Sequence, residues 1–250
     1  MATSTVDTRE GQVRPALSGE RRFYTIMAAI VLISTFVGFA PSYYLRFVIA
    51  PPHPFEPLTP LVFIHGLVFS SWVMLFAVQT MFVAGGRIDL HRRLGTFGFA
   101  LILVMIPLAL AVAIGGIARP LTAPPGIAPL SWVAVPLLDV PLFAGLILAA
   151  LANRRRPLTH KRLMMAAMVD MLRPSLGRLL PMLGFGGPLP LLGPLVFLLP
   201  LIGWDLYSRG RVHPATMIGA GAVAAVTIAT PLVWETQAWL MIAAYLAALA

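Results

Sequence analysis

The chain has 250 residues, 59% hydrophobic and 11% charged, with a mean hydropathy of +0.88. A soluble domain carries charge on about a quarter of its residues, so this composition excludes one and implies apolar surface facing lipid. The net charge of +9 sits in short loops rather than on one face, which argues against nucleic acid, and the lack of cysteine excludes disulfides, iron–sulfur clusters, thiolate zinc sites and cysteine nucleophiles.

Residues 1–20 are polar and aperiodic and read as a disordered tail, leaving 21–250 as one membrane domain. The first apolar run begins after Arg21 and Arg22 and reaches about Ala40, where Tyr43 and Tyr44 suit a headgroup belt. It lacks the short core and small-residue cleavage site of a signal peptide, so it reads as a retained anchor. Further runs cover 61–84, 96–118, 131–152, 161–183, 188–207 and 215–233, each near the roughly 20 residues that cross a bilayer. Clusters such as Pro51-Pro52-His53-Pro54, Ala123-Pro124-Pro125-Gly126 and Gly184-Phe185-Gly186-Gly187-Pro188 mark turns between them. The stretch 235–250 is apolar but short, and three readings stay open for it: an extension of the seventh span, an interfacial helix, or an eighth crossing. The fold class is therefore all-α, a polytopic transmembrane bundle of about seven spans.

Lysine and arginine orient the bundle. Fourteen of the eighteen fall in one set of loops, from Arg9 to Arg22, at 87–93, at 154–162 and at 209–211; the opposite set holds only Arg46 and Arg119. The positive-inside rule then puts the N-terminus in the cytoplasm, and an odd number of spans puts the C-terminus outside. A bacterial inner membrane is the expected location.

Charges inside a bilayer cost several kcal/mol, so each needs a partner or a purpose. Asp139 lies in the fourth run, and Asp170, Arg173 and Arg178 lie in the fifth. At 1.5 Å per residue, Asp139 sits roughly 12 Å below the outer boundary and Arg173 roughly 20 Å above the inner one, which allows an Asp139–Arg173 contact. Asp170, three residues before Arg173, would share its helix face and offer an alternative partner. Such a pair either fixes the docking of two helices or belongs to a proton or anion pathway. In the second run His65, Phe69, Trp72, Phe76 and Gln79 follow one helical face. That stripe reads first as packing, with His65 and Gln79 turned into the bundle because lipid would leave them unpaired.

His91 and His160 each open a span at the basic boundary, as interfacial residues or as two imidazoles holding a haem iron. His65 is an outer-side cofactor candidate, too far along its helix to share their iron. His53 and His213 read as loop residues. No phosphate loop, nucleophile elbow or His-Glu-x-x-His occurs, so no catalytic motif marks an enzyme. The only lysine, Lys161, lies at a loop, which excludes a retinal Schiff base in span seven.

Three spaced pieces carry a resemblance: His65 with Gln79 in span two, His91-Arg92-Arg93-Leu94-Gly95 opening span three, and His160-Lys161-Arg162-Leu163-Met164 opening span five with Arg178 and Pro181 beyond. Together they resemble an uncharacterised family of bacterial membrane proteins catalogued as a domain of unknown function. Leu163 stands where that family has an aromatic residue and Ala166 where it often has arginine. The resemblance implies architecture and marks positions, without implying an activity. The helix-borne histidines are similar in a general way to those of membrane-embedded b-type cytochromes. Three function classes follow: a haem b-binding redox protein using His91 and His160, a proton-coupled small-molecule transporter using Asp139, Asp170 and Arg173, and an accessory or assembly protein with no ligand. The expected partners are the lipid bilayer and either a second copy or another membrane protein.

Overall fold

The computed structural model describes residues 10–50, 54–124, 126–185 and 189–249. Among these residues there are ten α-helices and no strand. Helix α1 (Glu10–Phe39) closes in a π-helical turn over Ala40–Tyr44, and α2 (Pro60–Ala84) starts at a Thr59 cap that accepts from the Val62 amide. Helix α3 (Ile88–Gly115) follows a tight turn at Gly86, which adopts a positive φ of 76°. The short α4 (Pro129–Trp132) leads into α5 (Ala134–Ala152). Then come α6 (Pro157–Asp170), α7 (Arg173–Met182), α8 (Leu189–Arg209), α9 (Pro214–Val233) and α10 (Gln237–Ala247).

Among the described residues six stretches are long and apolar enough to cross a membrane: 19–44, α2, α3, 129–152, 190–209 and α9. The seventh crossing is made in two pieces. Glu20 of α1 pairs with Lys161 at the start of α6, and Phe39 at the other end of α1 stacks under Arg178 of α7, so α6 and α7 together run the length of α1. The run expected to be continuous over 161–183 is broken at Met171–Leu172. Pro174 supplies the cause: its ring clashes with the carbonyl four residues back, that of Asp170, where α6 ends. Pro107, Pro141, Pro200 and Pro231 lie inside helices that continue through them, as neighbouring helices allow in lipid.

Two other expectations change. Residues 10–20, read as disordered, extend α1 beyond its apolar core, while residues 1–9 lie outside the described residues. His53 lies outside them too. The last apolar stretch is a separate helix, α10, whose eleven residues span only about 16 Å, half of a hydrocarbon core. It does not extend α9. Thr236 caps it, and its Trp239 indole donates to the Leu130 carbonyl at 3.0 Å, tying it to α4.

The loops rich in arginine gather at one end, here the basic end. There Arg21 donates to the Ala84 carbonyl, Phe23 stacks on Trp204 at 4.8 Å, and Lys161 lies over the Tyr24 ring. At the opposite end Tyr43 donates to the Phe63 carbonyl, Tyr44 bonds Ser70, and Arg119 pairs with Glu56. Helix α6 is the centre: Met165, Ala166, Ala167, Met168 and Val169 are wholly buried. Small residues bring the backbones close. A Cβ on Gly38 of α1 would stand 2.4 Å from the Ser175 carbonyl oxygen of α7, so these two helices meet on backbone, as small residues permit in membranes.

Candidate functional sites within the bundle

His91 lies in the first turn of α3 and His160 in the first turn of α6, and the fold brings them together. Their ring centres are 6.3 Å apart and their planes near perpendicular, at 79°. A carbonyl oxygen only accepts, so the 2.8 Å contact of His160 Nδ1 with the Ala150 carbonyl puts the proton on Nδ1. That leaves the Nε2 lone pair of neutral His160 free. The Nδ1 of His91 is buried without a hydrogen bond. The His91 ring hydrogen-bonds to the backbone of Gln79 on α2, whose side-chain Nε2 lies 3.6 Å from where a Cβ on Gly95, one turn beyond His91, would stand. Among the described residues no group of three or more His, Asp or Glu side chains converges as a metal site.

The break between α6 and α7 holds the second cluster. Asp139 of α5 pairs with Arg173 at 2.9 Å, the contact that depth alone allowed. Arg173 also donates to Thr227 at 2.6 Å and Thr230 at 3.4 Å, both on α9. The guanidinium therefore clamps α5, α7 and α9 together. Asp170 is different. It does not share a helix with Arg173, because the break separates them, and both its carboxylate oxygens are buried with no hydrogen-bond partner.

At the opposite end His65 stacks on Phe69 at 4.1 Å with its Nδ1 buried and unpaired. Arg178 donates to the Pro174 carbonyl and lies over the rings of Phe39 and Phe55. The rest of the α2 stripe packs: Trp72 and Phe76 are buried, and the Trp72 indole donates to the Met168 sulfur at 3.3 Å.

One buried cluster was not expected. Arg162 falls among the loop cations in the sequence, but its side chain is wholly buried and forms an ion pair with Asp205 of α8. Asp205 accepts from Arg162 Nε at 2.9 Å, from the His213 amide at 3.0 Å and from the Thr216 hydroxyl; Arg162 also donates to the Leu158 carbonyl at 2.9 Å. The available signal was Asp205 itself, a lone carboxylate inside an apolar run. His213, read as a loop residue, caps α9 by accepting from the Ala215 amide at 3.0 Å. Burial and then the nearby charges of Arg162 and Arg209 hold its imidazole below the usual histidine range. Comparison of the chain with protein-family models, with curated proteins and with solved structures finds no match.

Proposed function

We propose that this multi-span membrane protein binds one haem b between His91 and His160 and carries electrons, with its basic end at the cytoplasmic face of a bacterial inner membrane. The observation that carries the reading is the separation of the two rings, 6.3 Å between centres. Two imidazoles that share one metal, with metal–nitrogen bonds of about 2 Å, have ring centres up to roughly 6 Å apart. A direct hydrogen bond between the rings would draw them to roughly 5 Å. The His160 tautomer supports the same reading. A ligating histidine ordinarily donates its other ring N–H to a carbonyl or carboxylate, as His160 does to Ala150. Two imidazoles alone would leave the rest of a metal's coordination to the cofactor, which a porphyrin supplies. Haem held there would supply one-electron chemistry, with His91 and His160 as the residues that would hold it.

The test is an absorption spectrum of the detergent-purified protein from haem-supplied cells, oxidised and then reduced with dithionite. A Soret band with sharp reduced α and β bands is expected, lost in both His91→Ala and His160→Ala. A wild-type spectrum showing only tryptophan and tyrosine, or an unchanged spectrum in both variants, overturns the reading.

A second reading rests on Asp170. A buried carboxylate without partners, at a helix break beside an Asp139–Arg173 pair, suits proton-coupled transport of a small solute, since broken helices mark many transporter sites. Proteoliposomes holding a pH-sensitive dye and given small solutes outside would then show solute-driven proton movement with the wild type and not with Asp170→Asn. Equal rates from the two would remove Asp170 from any pathway.

A further inference from the structure

A groove of about 670 Å³ lies at the basic end between α5, α6 and α9. Its mouth is polar, formed by Asn153, Arg156, Thr159 and His213, and its depth is apolar, running along α5 to Pro141. From Asn153 to Pro141 is about 18 Å of helix, close to the roughly 15 Å of hydrocarbon in one leaflet. The groove opens sideways: Pro141 and Gly145 are exposed along it, and Ile218 on its α9 wall is 67% exposed. In a membrane such a cleft faces acyl chains rather than water.

The mouth is built for an anion. Arg156 makes no ion pair among the described residues. The His213 Nδ1 accepts from the Ala215 amide, so the proton of the neutral ring is on Nε2, which remains able to donate. Asn153 uses one amide hydrogen on the Ala149 carbonyl at 2.9 Å and keeps the other. Helices α6 and α9 both begin here, at Pro157 and Pro214, and add the positive ends of two dipoles. No acidic side chain lines the groove.

We infer that this groove binds one anionic phospholipid, its phosphate at Arg156 and His213 and one acyl chain lying along α5 over Gly145. Gly145 makes the inference separable from general surface attraction. A Cβ there meets nothing within 4 Å, so a larger side chain fits the fold while filling the channel that the acyl chain needs.

The experiment is native mass spectrometry of the full chain in detergent, titrated with phosphatidylglycerol and with phosphatidylcholine of the same acyl chains. One equivalent of phosphatidylglycerol should bind at least fivefold more tightly than phosphatidylcholine, as one added cation near the headgroup gives. Arg156→Gln should remove that preference. Gly145→Phe, or Gly145→Leu if the larger ring unfolds the chain, should weaken both lipids several-fold with the helical circular dichroism unchanged. Equal binding of the two lipids by the wild type overturns the inference. So does undiminished phosphatidylglycerol binding in a folded Gly145 variant, which would leave only headgroup attraction. Competition by millimolar inorganic phosphate as strong as that by the lipid would also overturn it, by identifying a soluble-anion site.

Discussion

Replacing Asp205 by asparagine keeps the shape of the side chain and removes its charge. Arg162 then stays wholly buried with no counter-charge, while the Thr216 hydroxyl and the His213 amide retain an oxygen to donate to. Breaking a buried ion pair on one side costs about 3–5 kcal/mol, because the stranded cation cannot return to water. At about 1.4 kcal/mol per tenfold, the unfolding equilibrium should shift by two to three and a half powers of ten. Reversible unfolding in mixed dodecylmaltoside–SDS micelles, followed by circular dichroism, measures this directly. The double variant Arg162→Met, Asp205→Leu should recover most of the loss, since buried pairs replaced by apolar residues of similar volume are often neutral or better. The reasoning fails if Asp205→Asn unfolds within about 0.5 kcal/mol of wild type, the range of ordinary surface changes. It fails equally if the double variant is no better than the single one.

Two further outcomes use the same unfolding assay. Gly38→Val should destabilise by about 1–3 kcal/mol, the usual range for overpacking, because even its Cβ meets the Ser175 carbonyl at 2.4 Å; Gly203→Ala, inside α8 with open space around it, is the control and should hold or raise stability. The His213 imidazole titrates below its ordinary value when folded, so the unfolded chain binds its proton first and stability falls as pH drops through about 6.5 and below. Protonation also ends the acceptor role of Nδ1 at the α9 cap. His213→Asn, a good cap that does not titrate, should flatten that fall; an unchanged slope between pH 7 and 5 would assign it to other groups.

The spans were legible because lipid imposes a length and an apolar composition that few residues can violate. The Asp139–Arg173 contact was legible for a related reason: in a bundle of known direction, residue number is a measure of depth, and two opposite charges at one depth seek each other. The break after Asp170 was not. Proline is tolerated inside α3, α5 and α9, so Pro174 carried no distinguishing mark. What differs there is the company it keeps, Ser175 and Gly177 just after it, which hold the backbone weakly to a helix. Arg162 misled for the opposite reason. It sits beside Lys161 in a basic run, and only the arrival of Asp205 from α8 turns it inward. Pairing of this kind is decided by which helices become neighbours, which a single sequence does not state.

The polar residues of α6 and α7 separate into two kinds. Arg162 and Arg173 are buried and bonded to neighbouring helices, as structural groups are. Asp170 is as buried as they are, yet neither oxygen has a hydrogen-bond partner. A structural group loses stability when it is removed; an unpartnered one already bears the cost of its desolvation, about 1–3 kcal/mol for a polar group and more for a charge. Asp170→Leu, apolar on the same branched heavy-atom skeleton, should therefore hold or raise stability in the same micelle assay, while Asp205→Asn lowers it. If Asp170→Leu instead costs as much as Asp205→Asn, Asp170 is a structural partner after all. A stabilising result would mark Asp170 as a site where the fold gives up stability, and such concessions are made where a function requires them.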